Sequence, residues 1–91
     1  MDLSALPGGD LVERGLADLA EGRETAESLL VSIGAPRLAS GGIVLPRPPF
    51  SEPEHRLYDR LAAEGADAAH GRYNALLRRL VSFERALCAR R

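Results

Sequence analysis

Residues 41–50, GGIVLPRPPF, are the one stretch of this chain where β-forming side chains gather, and three prolines and two glycines break it. Each proline fixes φ and removes a backbone donor, so the stretch can neither sit inside a sheet nor continue a helix. Elsewhere the apolar content is mostly Leu and Ala, both strong helix formers, while Val, Ile, Phe and Tyr are scarce and Trp is absent. The expected fold is therefore all-α: a compact bundle of about four helices, with 41–50 as an extended strap between the second and third. A chain of 91 residues is expected to form one helical domain, with residues 1–9 as an N-terminal arm.

Local signals place the helices. Pro7, Gly8 and Gly9 precede Asp10, and Asp10 with Glu13 has capping-box spacing, so the first helix is expected to start at Asp10 and stop at Gly22. The second is expected from Thr25 to Ile33, with Ala26, Leu29, Leu30 and Ile33 as its buried stripe. Continuing it would put Arg37 on that stripe, and Pro36 has no N–H to donate. A break at Gly34-Ala35-Pro36 is predicted, followed by a short new helix from Arg37 to Ser40. Ile43, Val44, Leu45 and Phe50 should dock the strap on the core. Its ten residues reach roughly 33 Å when extended. Its prolines also suit an aromatic groove, but packing on the bundle is the expected role.

Ser51 and Glu54 again have capping-box spacing and predict a third helix starting at Ser51, with Pro53 in its first turn. Leu57, Tyr58, Leu61 and Ala62 form its expected buried face, and Gly65 its end. The fourth helix is expected from Asp67 to Ala89, or roughly 33 Å. Tyr73, Leu76, Leu77, Leu80, Val81, Phe83 and Leu87 give it an apolar arc about 160° wide. An arc of that width faces two neighbours, so this helix is expected to be the spine of the fold and to support a two-fold homodimer.

Charge narrows the function classes. The net charge is −1, which advertises neither nucleic acid nor an acidic membrane. The 12 basic residues are all Arg, read here as the codon bias of a GC-rich bacterial genome. The single Cys88 forms no internal disulfide, and MDLSALPGGD lacks the basic start and apolar run of a signal peptide. A cytoplasmic location without membrane contact is expected. Charge is also uneven: residues 1–33 hold seven acidic and two basic side chains, whereas 68–91 hold six Arg and Glu84. Arg72, Arg78, Arg79, Arg85, Arg90 and Arg91 could contact phosphates, but cations near a helix C-terminus also favour the macrodipole.

No catalytic constellation, metal site or cofactor motif stands out. His55 and Asp59 share a helical face but make at most half a metal site. Helical ribonuclease toxins need an Arg a few residues before a His, whereas Arg47 lies eight before His55 and Arg60 ten before His70. Helices one and two invite a helix-turn-helix reading, but the would-be recognition helix is expected to expose Glu24, Glu27 and Ser28, whose carboxylates repel a DNA backbone. His70, Arg72, Tyr73 and Asn74 gather polar groups near the start of the fourth helix, where a partner or small anion could bind.

Glu84 is the anomaly. It falls near the centre of the apolar arc, where a lone carboxylate is costly. Three explanations stand at this point: an Arg such as Arg14 or Arg37 pairs with it, the core ends before it, or a second chain supplies the partner. The expected function is a non-enzymatic protein-interaction module, a homo-oligomer or accessory subunit binding a partner protein. The alternative is a nucleic-acid-binding accessory protein that uses the Arg-rich last helix.

Overall fold

From Ser28 to Pro36 the chain carries no charged side chain, and in the computed structural model, which describes residues 3–89, this run lies at the middle of the fold. A short 3-10 turn, Leu3–Ala5, leads into α1 (Gly9–Ala20), followed by α2 (Ala26–Ser40), α3 (Pro53–Glu64) and α4 (Ala66–Ala89). The protein is thus an all-α bundle, with no strand among the described residues. Its radius of gyration is 12.5 Å, against about 12 Å expected for a compact chain of this length. The described part of the arm docks, with Leu3 and Leu6 packed on the core.

The spine is α2, not α4. α2 packs against α1, α3 and α4, and Ser28, Leu29, Leu30, Val31, Ser32 and Leu38 are all buried. Leu29 and Leu30 join one core cluster with Leu57, Leu61 and Leu80, while Val31 and Leu38 join a second with Val12, Leu19 and Phe83. A helix apolar on nearly all sides must be central, whereas a helix with one wide arc can stay peripheral.

The predicted break at Gly34-Ala35-Pro36 does not occur, nor does a separate helix over Arg37–Ser40. α2 runs through Pro36 to Ser40. Helix α2 is buried on most sides rather than along a single stripe. Ile33, Pro36, Arg37 and Ser40 lie on the outward sliver of a helix buried elsewhere, with Ile33 half-buried and the other three exposed. Arg37 therefore meets solvent, and the helix loses only the bond from position 36 to the Ser32 carbonyl. Helix α2 stops later, in a Schellman motif. Gly42 takes φ 97°, its N–H donates to the Ala39 carbonyl at 3.0 Å, and the Ile43 N–H donates to that of Leu38 at 3.0 Å. Helix α1 ends the same way: Gly22 has φ 72°, and the Gly22 and Arg23 amides close on Leu19 and Asp18.

Neither predicted capping box forms. α1 begins one residue before Asp10, with Gly8 as N-cap at φ 73°, so Asp10 lies inside the helix and pairs with Arg79 at 3.0 Å. α3 begins at Pro53, not Ser51, and its N-cap Glu52 takes φ 48° with no side-chain cap. The box that does form is at α2. Thr25 Oγ1 accepts the Ser28 N–H at 3.1 Å, and Ser28 Oγ accepts the Thr25 N–H at 2.8 Å. Ser28 is consequently buried rather than exposed. With α2 enclosed by three helices, it cannot enter a DNA groove as a recognition helix.

The strap is non-helical over 43–50 and docks in part. Ile43, Leu45 and Phe50 pack on the core, Phe50 touching both clusters, but Val44 is 87% exposed. Alternation along an extended chain turns every second side chain away. The Phe50 N–H donates to Ser32 Oγ at 3.0 Å, and that hydroxyl donates to the Ser28 carbonyl at 2.8 Å. Tyr58, expected to be buried, is 38% exposed and meets Tyr73 edge-on at 5.5 Å. Two close approaches set the helix spacing: Gly15 of α1 faces the α2 backbone at Glu27, and Gly34 of α2 faces Leu80 and Glu84 of α4.

Candidate functional site

On α4 the residues Leu80, Phe83 and Leu87 are buried, while Tyr73, Leu76, Leu77 and Val81 of the arc are half-buried. Leu77 and Val81, one turn apart, form a ridge with an open depression on each side. One depression, of about 330 Å³, lies toward α2 between Leu77, Val81, Ile33, Pro36, Arg37 and Glu84. The other, of about 450 Å³, lies on the outer side and is lined by Asn74, Leu77, Arg78, Val81, Ser82 and Arg85. A third hollow at the C-terminal ends of α2 and α4 shares Arg37, Glu84 and Arg85 with these and includes the exposed Cys88.

Glu84 is the one charged side chain buried among the described residues. Of the three explanations, an Arg from another segment is the one realised: Arg37 Nη1 lies 3.6 Å from Glu84 Oε1, whereas Arg14 pairs with Glu27 at 3.7 Å. At 3.6 Å the contact is Coulombic rather than a well-formed hydrogen bond. Gly34 makes room for the carboxylate, since a Cβ there would sit 2.8 Å from Glu84 Oε2. Burial pushes the Glu84 carboxyl above its ordinary value, and Arg37 offsets this only in part. The folded protein therefore holds the proton more tightly than the unfolded chain does. The stabilisation that comes with the proton is full below the ordinary value of 4.5 and is lost as pH rises through the raised value. Glu84→Gln is accordingly expected to raise the urea midpoint at pH 7, with the gain shrinking as pH falls toward 4.5. A lower midpoint at pH 7 would mean that the attraction of Arg37 outweighs burial.

The group near the start of α4 does not converge into a pocket. Arg72 pairs with Glu64 of α3 at 2.9 Å. Tyr73 turns to Tyr58, and its hydroxyl is held above its ordinary pKa by burial and then by Glu54. His70 Nε2 and Asn74 Nδ2 lie 3.2 Å apart, both on α4. Since α4 starts at Ala66, the free amides an anion would use belong to its first turn, and His70 lies beyond them.

Of the Arg candidates, Arg72 and Arg79 are engaged by Glu64 and Asp10. Arg78 and Arg85 are exposed and have no ion-pair partner among the described residues. Arg90 and Arg91 lie outside the described residues. His55 and Asp59 are 3.2 Å apart, both well exposed. Among the described residues no three His, Cys, Asp or Glu side chains come together as metal ligands, and no helix is long and apolar enough to cross a membrane.

No family model, curated protein or solved structure matches this chain. The functional reading therefore rests on the surface itself. The sequence puts Leu77 and Val81 in an apolar arc expected to face two neighbours and support a dimer, but does not single them out as a half-buried ridge. The available signal was Val81 at the edge of the arc, with Arg78 and Arg85 seven apart beside it.

Proposed function

We propose that this protein is a small helical interaction module that binds a partner protein through the outer face of α4 and the adjoining edge of α2. The observation that carries this reading is the half-buried Leu77–Val81 ridge, flanked by Arg78 and Arg85, which have no ion-pair partner among the described residues. An apolar centre with an Arg rim is the composition of a protein-binding patch. Leu80, Phe83 and Leu87 of the α4 arc are buried within the chain and its other four residues are half-buried, so burial alone does not call for a second copy.

The nucleic-acid reading has narrower support. Arg78 and Arg85, without an ion-pair partner among the described residues, lie about 10 Å apart along the helix and suit two phosphates. Phosphates, however, make no use of the apolar ridge between them, and Arg72 and Arg79 already serve α3 and α1.

The test is affinity purification of the 91-residue chain from its native host, beside a Val81→Asp variant. The expected result is a protein recovered in stoichiometric amount with the parent chain and lost with the variant, while the variant keeps the parent's circular dichroism and melting temperature. Recovery of nucleic acid alone would overturn the reading.

A further inference from the structure

Resting on that reading, we infer that the two depressions beside the Leu77–Val81 ridge dock an acidic amphipathic helix of a partner protein. Three features of the face select this occupant. The first is shape. A ridge of residues four apart, with a groove on each side, is the surface into which another helix packs its own ridges. From Asn74 to Arg85 the face runs roughly 17 Å, which matches about three turns of a partner helix.

The second is charge. Arg37 borders the α2 side, and Arg78 and Arg85 border the outer side, all three exposed. The one carboxylate in the face is Glu84, which is buried and already beside Arg37. The rim is therefore cationic around an apolar centre. It complements a helix whose apolar stripe is flanked by Glu or Asp.

The third is symmetry. In a two-fold dimer the same patch meets itself, so Arg78 and Arg85 would face the same cationic rim of the second copy. Like charges brought together at an interface are costly, and apart from Glu84 the described acidic residues lie outside this face, on α1, in the turn after it, along α3 and its N-cap, and at the starts of α2 and α4. The rim argues against a second copy and for a partner of opposite charge.

The probe is a synthetic, fluorescein-labelled helical peptide of 15 residues, with Leu at i, i+3, i+4 and i+7 and Glu at the flanking positions. A matched peptide carries Lys in place of every Glu. Anisotropy titrations with the intact chain are expected to show saturable binding of the Glu peptide, at least ten-fold tighter than the Lys peptide and weaker as salt is raised. The double variant Arg78→Glu, Arg85→Glu is expected to reverse the preference between the peptides. A variant that merely misfolds would lose both.

Several outcomes overturn the inference. One is failure of the Glu peptide to bind, and another is equal binding of the two peptides. A preference unchanged by the double variant does so too. Light scattering that shows a dimer abolished by Val81→Asp assigns the face to a second copy. A mixed-sequence oligonucleotide that binds at low salt and displaces the Glu peptide assigns it to nucleic acid. Failure of the peptide while a host protein is still captured through Val81 removes the acidic-helix inference but leaves the protein-binding reading standing.

Discussion

Phe83→Ala is expected to lower the free energy of unfolding by about 3–5 kcal/mol. Phe83 has no solvent exposure and is the largest fully buried side chain. It fills the cluster formed by Val12 and Leu19 of α1, Val31 and Leu38 of α2, and Leu87 of α4, so its ring links three helices. Those helices start from separate segments and cannot all close over the missing ring. Small domains have only about 5–15 kcal/mol in total, so a melting-temperature drop on the order of 20 °C should follow. Urea denaturation of parent and variant measures it. A loss below about 1 kcal/mol would mean that Phe83 is not at the junction of the three helices. Phe83→Leu keeps most of the volume and should cost considerably less.

Gly15→Ala is expected to destabilise the protein by about 1–3 kcal/mol, although alanine is the better helix former. In an open helix the exchange gains roughly 0.5–1 kcal/mol. At position 15 the new Cβ would press on the Glu27 carbonyl of α2 and stand 2.5 Å from Val31 Cγ2. The carbonyl belongs to helix backbone and cannot swing aside as a side-chain end can. α1 would have to back away from α2, loosening the contacts of Leu11, Val12 and Leu19 together. Gly71 supplies the opposite case within the same molecule. It lies inside α4, is exposed, and a Cβ there meets nothing within 4 Å. Gly71→Ala should therefore stabilise by up to about 1 kcal/mol. Urea midpoints of the two variants should move in opposite directions, and a shift in the same direction would show that helix propensity, not the α1–α2 approach, governs position 15.

The surface assignment depends on how side chains were allotted between core and face. The sequence marks Glu84 as an anomaly without choosing among its three explanations. The choice required Arg37, 47 positions earlier in the chain, to be carried past Pro36 on a continuous helix so that its guanidinium reached 3.6 Å from the carboxylate. Because a break was expected there, that partner had no defined position. Likewise Arg79 reads as a free cation in sequence, and only the packing of α4 beside the start of α1 brings it to Asp10 at 3.0 Å. Among the described residues of α4, Arg78 and Arg85 became recognisable as the Arg side chains without an ion-pair partner only once Arg72 and Arg79 had been paired.

What the sequence determined by itself was local. Leu- and Ala-rich segments with helical periodicity made the protein all-α, the proline-broken run 41–50 became the strap, and Gly22 and Gly65 closed the helices they follow. These outcomes rest on φ restrictions and short-range hydrogen bonds, which act within a few residues of their cause. Tertiary structure decided the rest. It made α2 the core, drew Thr25 and Ser28 into the cap that forms in place of the two predicted, and left Leu77 and Val81 half-buried. A helix's central place, and the solvent left to each of its faces, follow from what packs against it. Burial energy is shared among segments distant in sequence, so an apolar stripe read on one helix does not reveal which neighbour will cover it.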